Sequence, residues 1–206
     1  RDHVADQQVV RLRAGEPHFH ELGLAPLLRH HLERKNLVIA EDFDSLQADV
    51  YTIAVGTPIG DDRKPVLSDV CEAALAIGAR LKRGDLVVLR STVPVGVCRD
   101  VVAPLLEQAS GLARGADFSL AYAPERTVEG RALDECRTIP QIVGGLDAQS
   151  LRRAASLFSG ITPTIVRVSS LEAAEMAKLL NNVYRDVSFS FANEFAMVCD
   201  RLGLDA

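Results

Sequence analysis

The C-terminal segment constrains this chain more than any other feature. Ser169-Ser170-Leu171-Glu172 has the form of a capping box, with Ser169 at the N-cap and Glu172 three positions on. Nothing after it breaks a helix until Gly203. A helix of more than thirty residues spans about 50 Å at about 1.5 Å per residue, beyond the length of an ordinary globular helix. Its apolar positions, among them Leu171, Ala174, Leu179, Val183, Val187, Phe191 and Phe195, cover more than one face. A helix apolar on several sides must be wrapped by other structure. The rest of the chain precedes it, so the expected cover is a following domain, a second subunit, or both.

The preceding part alternates between two patterns. Short apolar or β-branched runs occur at Leu37–Ala40, Val50–Gly56, Leu86–Leu89, Phe118–Tyr122, Gln141–Val143 and Thr164–Val168. Helix-like stretches lie between them, at about Glu21–Arg34, Ser68–Lys82, Cys98–Ala109 and Ala148–Phe158. Turn signals separate the two, such as Arg83-Gly84-Asp85 and Gly144-Gly145. Strand–helix alternation with continuously apolar strands argues for an α/β fold with a mostly parallel sheet and flanking helices. One long helix follows, which divides the chain into 1–168 and 169–206. Residues 1–13 read as a helix with no strand ahead of it, and no G-x-G-x-x-G occurs. The expectation is a piece of a longer chain, cut at both ends.

Composition removes several classes. An apolar share of 48% is too high for a disordered chain. No run reaches the roughly 18 apolar residues of a membrane span, and no signal-peptide pattern opens the sequence. A net charge of −5 gives no electrostatic case for nucleic acid. Cys71, Cys98, Cys136 and Cys199 are far apart and form no C-x-x-C pair, so neither a metal site nor a disulfide framework is expected. They read as reduced, mostly buried thiols of a cytoplasmic protein.

Four local features carry chemistry. Ser91-Thr92-Val93-Pro94-Val95-Gly96 directly follows an apolar strand, where ligands of open α/β sheets bind; by spacing alone it fits an ordinary Ser/Thr turn as well. Pro124-Glu125-Arg126-Thr127-Val128-Glu129-Gly130 follows another strand. One of its glutamates could deprotonate or orient a water, and a solvated loop with an ion pair fits equally. Lys178 and Asn182 stand four residues apart on one helix face among Ala, Met and Leu, in a chain whose other lysines are only 35, 64 and 82. A cation and an amide so placed suit a developing alkoxide; the alternative is a lysine that snorkels to solvent. Further along come Arg185-Asp186 and Asn193-Glu194. The latter pair reads as interhelix or intersubunit pairing, whereas Arg185 suits a phosphate or carboxylate.

Taken in order, these segments resemble the nucleotide-sugar 6-dehydrogenases, the family of UDP-glucose and UDP-N-acetylhexosamine dehydrogenases. The resemblance rests on Val55-Gly56-Thr57-Pro58, Ser91 to Gly96, Pro124 to Gly130, Ile142-Val143-Gly144-Gly145 and the helix Glu172–Glu194, with Leu12 to Pro17 and Glu21 to Leu24 at the start. It covers essentially the whole chain. It implies an incomplete Rossmann-like NAD-binding domain followed by a central helix that makes a homodimer through residues 169–202. It also implies that the Gly-rich turn, the C-terminal domain and the catalytic Cys lie outside these residues; none of the four cysteines matches that position. Asp2 lies near the acidic residue that holds the NAD ribose but is one or two positions late.

The implied reaction is the oxidation of the C6 alcohol of a UDP-sugar to a uronic acid, with two NAD reduced, in surface-polysaccharide precursor synthesis. The resemblance gives Lys178 and Asn182 the oxyanion, Glu125 water activation or acid–base work, and Thr92 the ordering of that water. It gives Glu129, Arg126 and Arg185 to the substrate, and Thr57, Pro58, Ser91 and Thr92 to NAD. Pro124-Glu125-Arg126 and Asn182-x-x-Arg185-Asp186 look like the N-acetylhexosamine branch, which favours UDP-N-acetylmannosamine or a relative. Glu129-Gly130 looks more like the UDP-glucose branch. Two other readings stay open: a two-electron β-hydroxyacid-type dehydrogenase, and a non-catalytic dimerisation module derived from a dehydrogenase.

Overall fold

A computed structural model describes residues 3–40, 43 and 47–205; Asp2 is outside them. Five strands form one sheet in sequence order: β1 (Val50–Ile53), β2 (Leu86–Leu89), β3 (Ser119–Tyr122), β4 (Gln141–Gly145) and β5 (Ile165–Arg167). The pairs β1–β2, β2–β3 and β4–β5 are parallel, and β3–β4 is antiparallel. The carboxyl ends of β1, β2 and β3 therefore share one edge, where the motif loops begin.

Every residue of β2 and β3 is buried, as expected for central strands covered on both faces. On one face, Tyr51, Ile53, Val87, Leu89, Leu120 and Tyr122 pack beneath α3 (Ser68–Gly78), α4 (Ala103–Ser110) and the π-helical turn Cys98–Val102 that leads into it. On the other, Leu86, Val88, Ala121 and Val143 pack beneath α6 (Ala148–Ser159) through Ala154 and Phe158. Val50 and Thr52 lie on this second face beside α6 and are exposed. The peripheral helices are α1 (His3–Arg13), α2 (Leu24–Glu33) and the short α5 (Ala132–Thr138).

The long helix is α7, Leu171–Leu202. Its N-cap is Ser170, not Ser169: the Ser170 side chain accepts from the Ala173 N–H. Glu172 is thereby released from a capping box and pairs with Arg99 instead, which holds its carboxyl down at about 2. The start of α7 crosses β4 closely. A Cβ on Gly144 would stand 2.3 Å from the Ser170 carbonyl oxygen and 2.8 Å from the Ala174 Cβ, so only glycine lets the helix pass. Leu171, Ala174 and Glu175 are buried at this crossing. Beyond Asn182 the helix leaves the body. Val183, Tyr184, Val187, Phe189, Phe191 and Phe195 are all exposed, the unpartnered apolar surface that the sequence demanded.

Two further expectations are corrected. Leu37–Ala40 forms no strand. Among the described residues the sheet begins at β1, and the Ile39 carbonyl takes a bond from the Arg13 side chain. All four cysteines are free, but only Cys98 is buried; Cys71, Cys136 and Cys199 are half-buried. No described helix is long and apolar enough to cross a membrane.

Candidate functional site

The loops after β1 and β2 are stitched together at the sheet edge. The Ser91 hydroxyl donates to the Val55 carbonyl at 2.7 Å, and the Thr57 hydroxyl donates to the Thr92 carbonyl at 2.7 Å. Tyr122, buried at the end of β3, donates its phenol to the Ser91 carbonyl at 3.1 Å. Two of the hydroxyls expected at the cofactor, Ser91 and Thr57, thus hold backbone. Thr92 differs, because among the described residues nothing bonds to its own hydroxyl.

The loop after β3 carries Glu125, and both carboxylate oxygens are occupied. Oε1 accepts from the backbone N–H of Arg126 at 2.7 Å and of Thr127 at 2.9 Å. Oε2 accepts from Arg90 at 2.5 Å. Burial works to raise its proton affinity, but these donors outweigh it and hold the carboxyl below the usual carboxylate range. Arg90 is itself fixed, over the Phe158 ring at 4.9 Å and bonded to Gln141. Arg126 ties this loop to the long helix, through Nε to the Asn181 side chain at 2.9 Å and through a second nitrogen to the Pro140 carbonyl at 2.9 Å.

Lys178 and Asn182 lie one turn apart on α7 and face the loop across an open groove of about 430 Å³, which Arg126, Thr127 and Arg185 also line. Among the described residues Lys178 has no hydrogen-bond or ion-pair partner. Its proton affinity falls below that of an ordinary lysine, first because of burial; Glu125 opposes this, while Arg185 and Arg126 add to it. A half-buried ammonium without a partner, near a fixed carboxylate, is a donor held ready. On the far side of the loop a second cavity of about 410 Å³ meets Arg90, Glu125 and Cys136.

Other expected residues sit apart. Glu129 is exposed at the loop tip and lines neither space. The loop is instead held by Glu135, which takes the Val128 N–H, and by the buried Glu21, which takes the Gly130 N–H. Pro58 is exposed beyond β1. Burial and the nearby Glu175 carboxylate raise the Cys98 thiol well above its ordinary value, so it stays protonated.

Residues 3–162 match the NAD-binding domain of the UDP-glucose/GDP-mannose dehydrogenase family, and residues 172–206 match that family's central domain. The chain belongs to this family. An NDP-N-acetyl-D-galactosaminuronic acid dehydrogenase of Ralstonia solanacearum is 40% identical over 164 residues, which cover 77% of this chain and 39% of that protein. A UDP-N-acetyl-D-mannosamine dehydrogenase of Pyrococcus horikoshii is 31% identical over 98% of this chain and 48% of its own length. The solved structure of the Pyrococcus horikoshii UDP-D-ManNAc dehydrogenase superposes with a TM-score of 0.90 at 31% identity, over 96% of this chain and 47% of that one. A ternary complex of GDP-mannose dehydrogenase from Pseudomonas aeruginosa also gives 0.90, at 30% identity over 97% and 47%. The chain therefore spans less than half the length of these relatives.

For a family built on NAD, the residues present fit one part of a dinucleotide. They supply three parallel strand ends on one edge, with a free hydroxyl at Thr92, which lines neither the groove nor the second cavity. They do not supply a pyrophosphate cradle, since no Gly-rich turn is among them. Two contributors were given no role from the sequence. Arg90 meets Glu125 across 35 positions, which no local pattern reveals. Glu175 left a faint trace: it is an acid on the apolar stripe Leu171–Ala174, one turn before Lys178.

Proposed function

We propose that these residues are part of the active site of an NAD-dependent nucleotide-sugar 6-dehydrogenase, which oxidises the C6 primary alcohol of a UDP-sugar to the uronic acid. The observation that carries this is Lys178: half-buried, unpartnered, aligned with Asn182, and opposed to the Glu125 loop across a groove. NAD, when bound, accepts the hydride. The chain's own residues manage the charge. As the C6 oxygen gains negative charge, the Lys178 ammonium and the Asn182 amide donate to it from one rigid helix, so little reorganisation is needed. Glu125 stays ionised because Arg90 and two backbone N–H groups hold it so. It acts as a fixed proton acceptor: through a water it takes the C6 hydroxyl proton as the hydride leaves and, after releasing that proton to solvent, a proton of the attacking water, and the free Thr92 hydroxyl orients that water. Arg185, exposed along the groove, suits the diphosphate.

The favoured substrate is UDP-N-acetylmannosamine or another UDP-N-acetylhexosamine. Support comes from the Pro124-Glu125-Arg126 loop, where Arg126 bonds the neighbour of Asn182, and from the relatives bearing such names. UDP-glucose is the second reading, favoured by Glu129-Gly130. The product belongs to surface-polysaccharide precursor synthesis in the cytoplasm. Residues 1–168 form the remainder of the NAD-binding unit and 169–206 the central helix, whose exposed apolar length makes a homodimer. In the complete protein, Lys178→Ala should lower NADH formation by about 10²–10³-fold without changing oligomeric state. Unchanged turnover would refute the assignment.

A further inference from the structure

The Glu175 side chain is fully buried, 0% exposed, in a stretch otherwise given to packing. It is satisfied entirely by the loop that carries Thr92. Its Oε2 accepts from the Gly96 N–H at 2.6 Å, and its Oε1 accepts from the Cys98 N–H at 2.9 Å. Gly96 adopts a left-handed φ of 96°, which turns both N–H groups toward the carboxylate. These N–H groups open the helical stretch Cys98–Ser110, where a carboxylate is favoured by the helix dipole. The same loop is pinned at its other end by the Ser91, Thr57 and Tyr122 bonds. One helical turn further along α7 stands Lys178, and two turns along stands Asn182.

We infer that Glu175 is a positioning residue of the reaction: it fixes the distance and angle between the Thr92 loop and the Lys178–Asn182 face of α7. This rests on the proposed dehydrogenase function. The carboxylate is the bonded joint between the Thr92 loop and α7, which among the described residues are otherwise held together by apolar packing and the Arg99–Glu172 pair nearer the surface. Apolar contacts tolerate sliding, whereas two charge-assisted bonds to backbone set one register. Gln in its place keeps the shape but turns one N–H₂ against a backbone N–H, so one of the two bonds is lost and the loop shifts relative to the helix. A misplacement of that kind costs rate rather than affinity.

The test uses the complete protein with NAD and its UDP-sugar. Glu175→Gln should lower kcat by about 10–100-fold while KM for NAD changes by less than about twofold. Thr92→Ala should then cost much less in the Glu175→Gln background than in the wild type, because its water is already misplaced. Fully multiplicative effects, or an unchanged kcat with only a lower melting temperature, would overturn the inference. A second measurement needs no variant. In the wild type, the Gly96 and Cys98 amides should exchange with solvent deuterium together with the first two turns of α7, as one unit. Fast, independent exchange of these two amides would also overturn it. If Lys178→Ala leaves turnover intact, the dehydrogenase reading itself fails and this inference falls with it. If Lys178→Ala abolishes turnover and Glu175→Gln does not lower it, the inference alone fails.

Discussion

Gly144→Ala is the sharpest probe of how α7 is seated. The new Cβ would lie 2.3 Å from the Ser170 carbonyl oxygen, 3.0 Å from the Ser170 carbonyl carbon and 2.8 Å from the Ala174 Cβ. Ordinary contact begins at about 3.5 Å, so backbone must move by about 1 Å. Strand β4 has little freedom to yield, because it is bonded to β3 on one side and β5 on the other. The helix start must give instead, carrying the buried Leu171, Ala174 and Glu175 with it. Overpacking costs about 1–3 kcal/mol, and loosening one charge-assisted bond of Glu175 adds about 1.5–3 kcal/mol. A total of about 2.5–6 kcal/mol lowers the melting temperature by about 5–24 °C for a unit of this size. Calorimetry of the complete protein reads that shift, and turnover should fall in parallel because Lys178 moves with the helix. Gly56→Ala is the control: nothing lies within 4 Å of its new Cβ and no left-handed φ is required, so its effect should stay within about 0.5 kcal/mol. A Gly144→Ala protein that melts and turns over like the wild type would refute the close crossing.

Two further outcomes follow from the same geometry. Arg90→Met keeps the packing against Phe158 but removes a donor that holds the Glu125 carboxyl low. The acid limb of kcat/KM should move to higher pH. The depressed Glu125 also contributes stability above its unfolded pKa that is lost as pH falls through its folded value, and in the variant that loss should begin at higher pH; an unmoved acid limb would remove Arg90 from the account. Phe191→Asp with Phe195→Asp places charges on the exposed aromatic pair, whose rings stand 5.0 Å apart. Sedimentation should show the complete protein shifting from dimer to monomer, and an unchanged dimer would mean that α7 is covered by something else.

Much of the architecture was legible because it has a local signature. Continuously apolar β2 and β3 announced strands covered on both faces, and the unbroken stretch to Gly203 announced α7. The loops after β1, β2 and β3 were legible as motifs in order. What escaped depends on distant partners. Leu37–Ala40 has strand composition, but a segment without a ladder neighbour does not pair. Two adjacent serines fit a helix cap equally well, and the crossing over Gly144 chose Ser170. Strand direction is not written in an apolar run, so the antiparallel β3–β4 pair gave no advance sign. At seven residues, α5 is too short to show a helical period. At the site, Lys178, Asn182, Arg126 and Arg185 were legible and do gather on one groove. The Arg90 bond to Glu125 Oε2 and the bonds of the buried Glu175 were not legible, since those partners lie 35 and 77–79 positions away.

A double oxidation at one carbon reduces two cofactors for each sugar, so counting reduced cofactor is the decisive measurement. The complete protein would be incubated with NAD and, separately, UDP-N-acetylmannosamine, UDP-N-acetylglucosamine and UDP-glucose, and NADH formed per sugar consumed would be measured. The expected result is about two NADH per sugar, with turnover greatest on an N-acetylhexosamine, because an alcohol becomes an acid by loss of two hydrides and gain of a water oxygen. One NADH per sugar would contradict it in favour of a two-electron dehydrogenase. None with any sugar, from folded protein that binds NAD, would contradict the enzyme reading altogether.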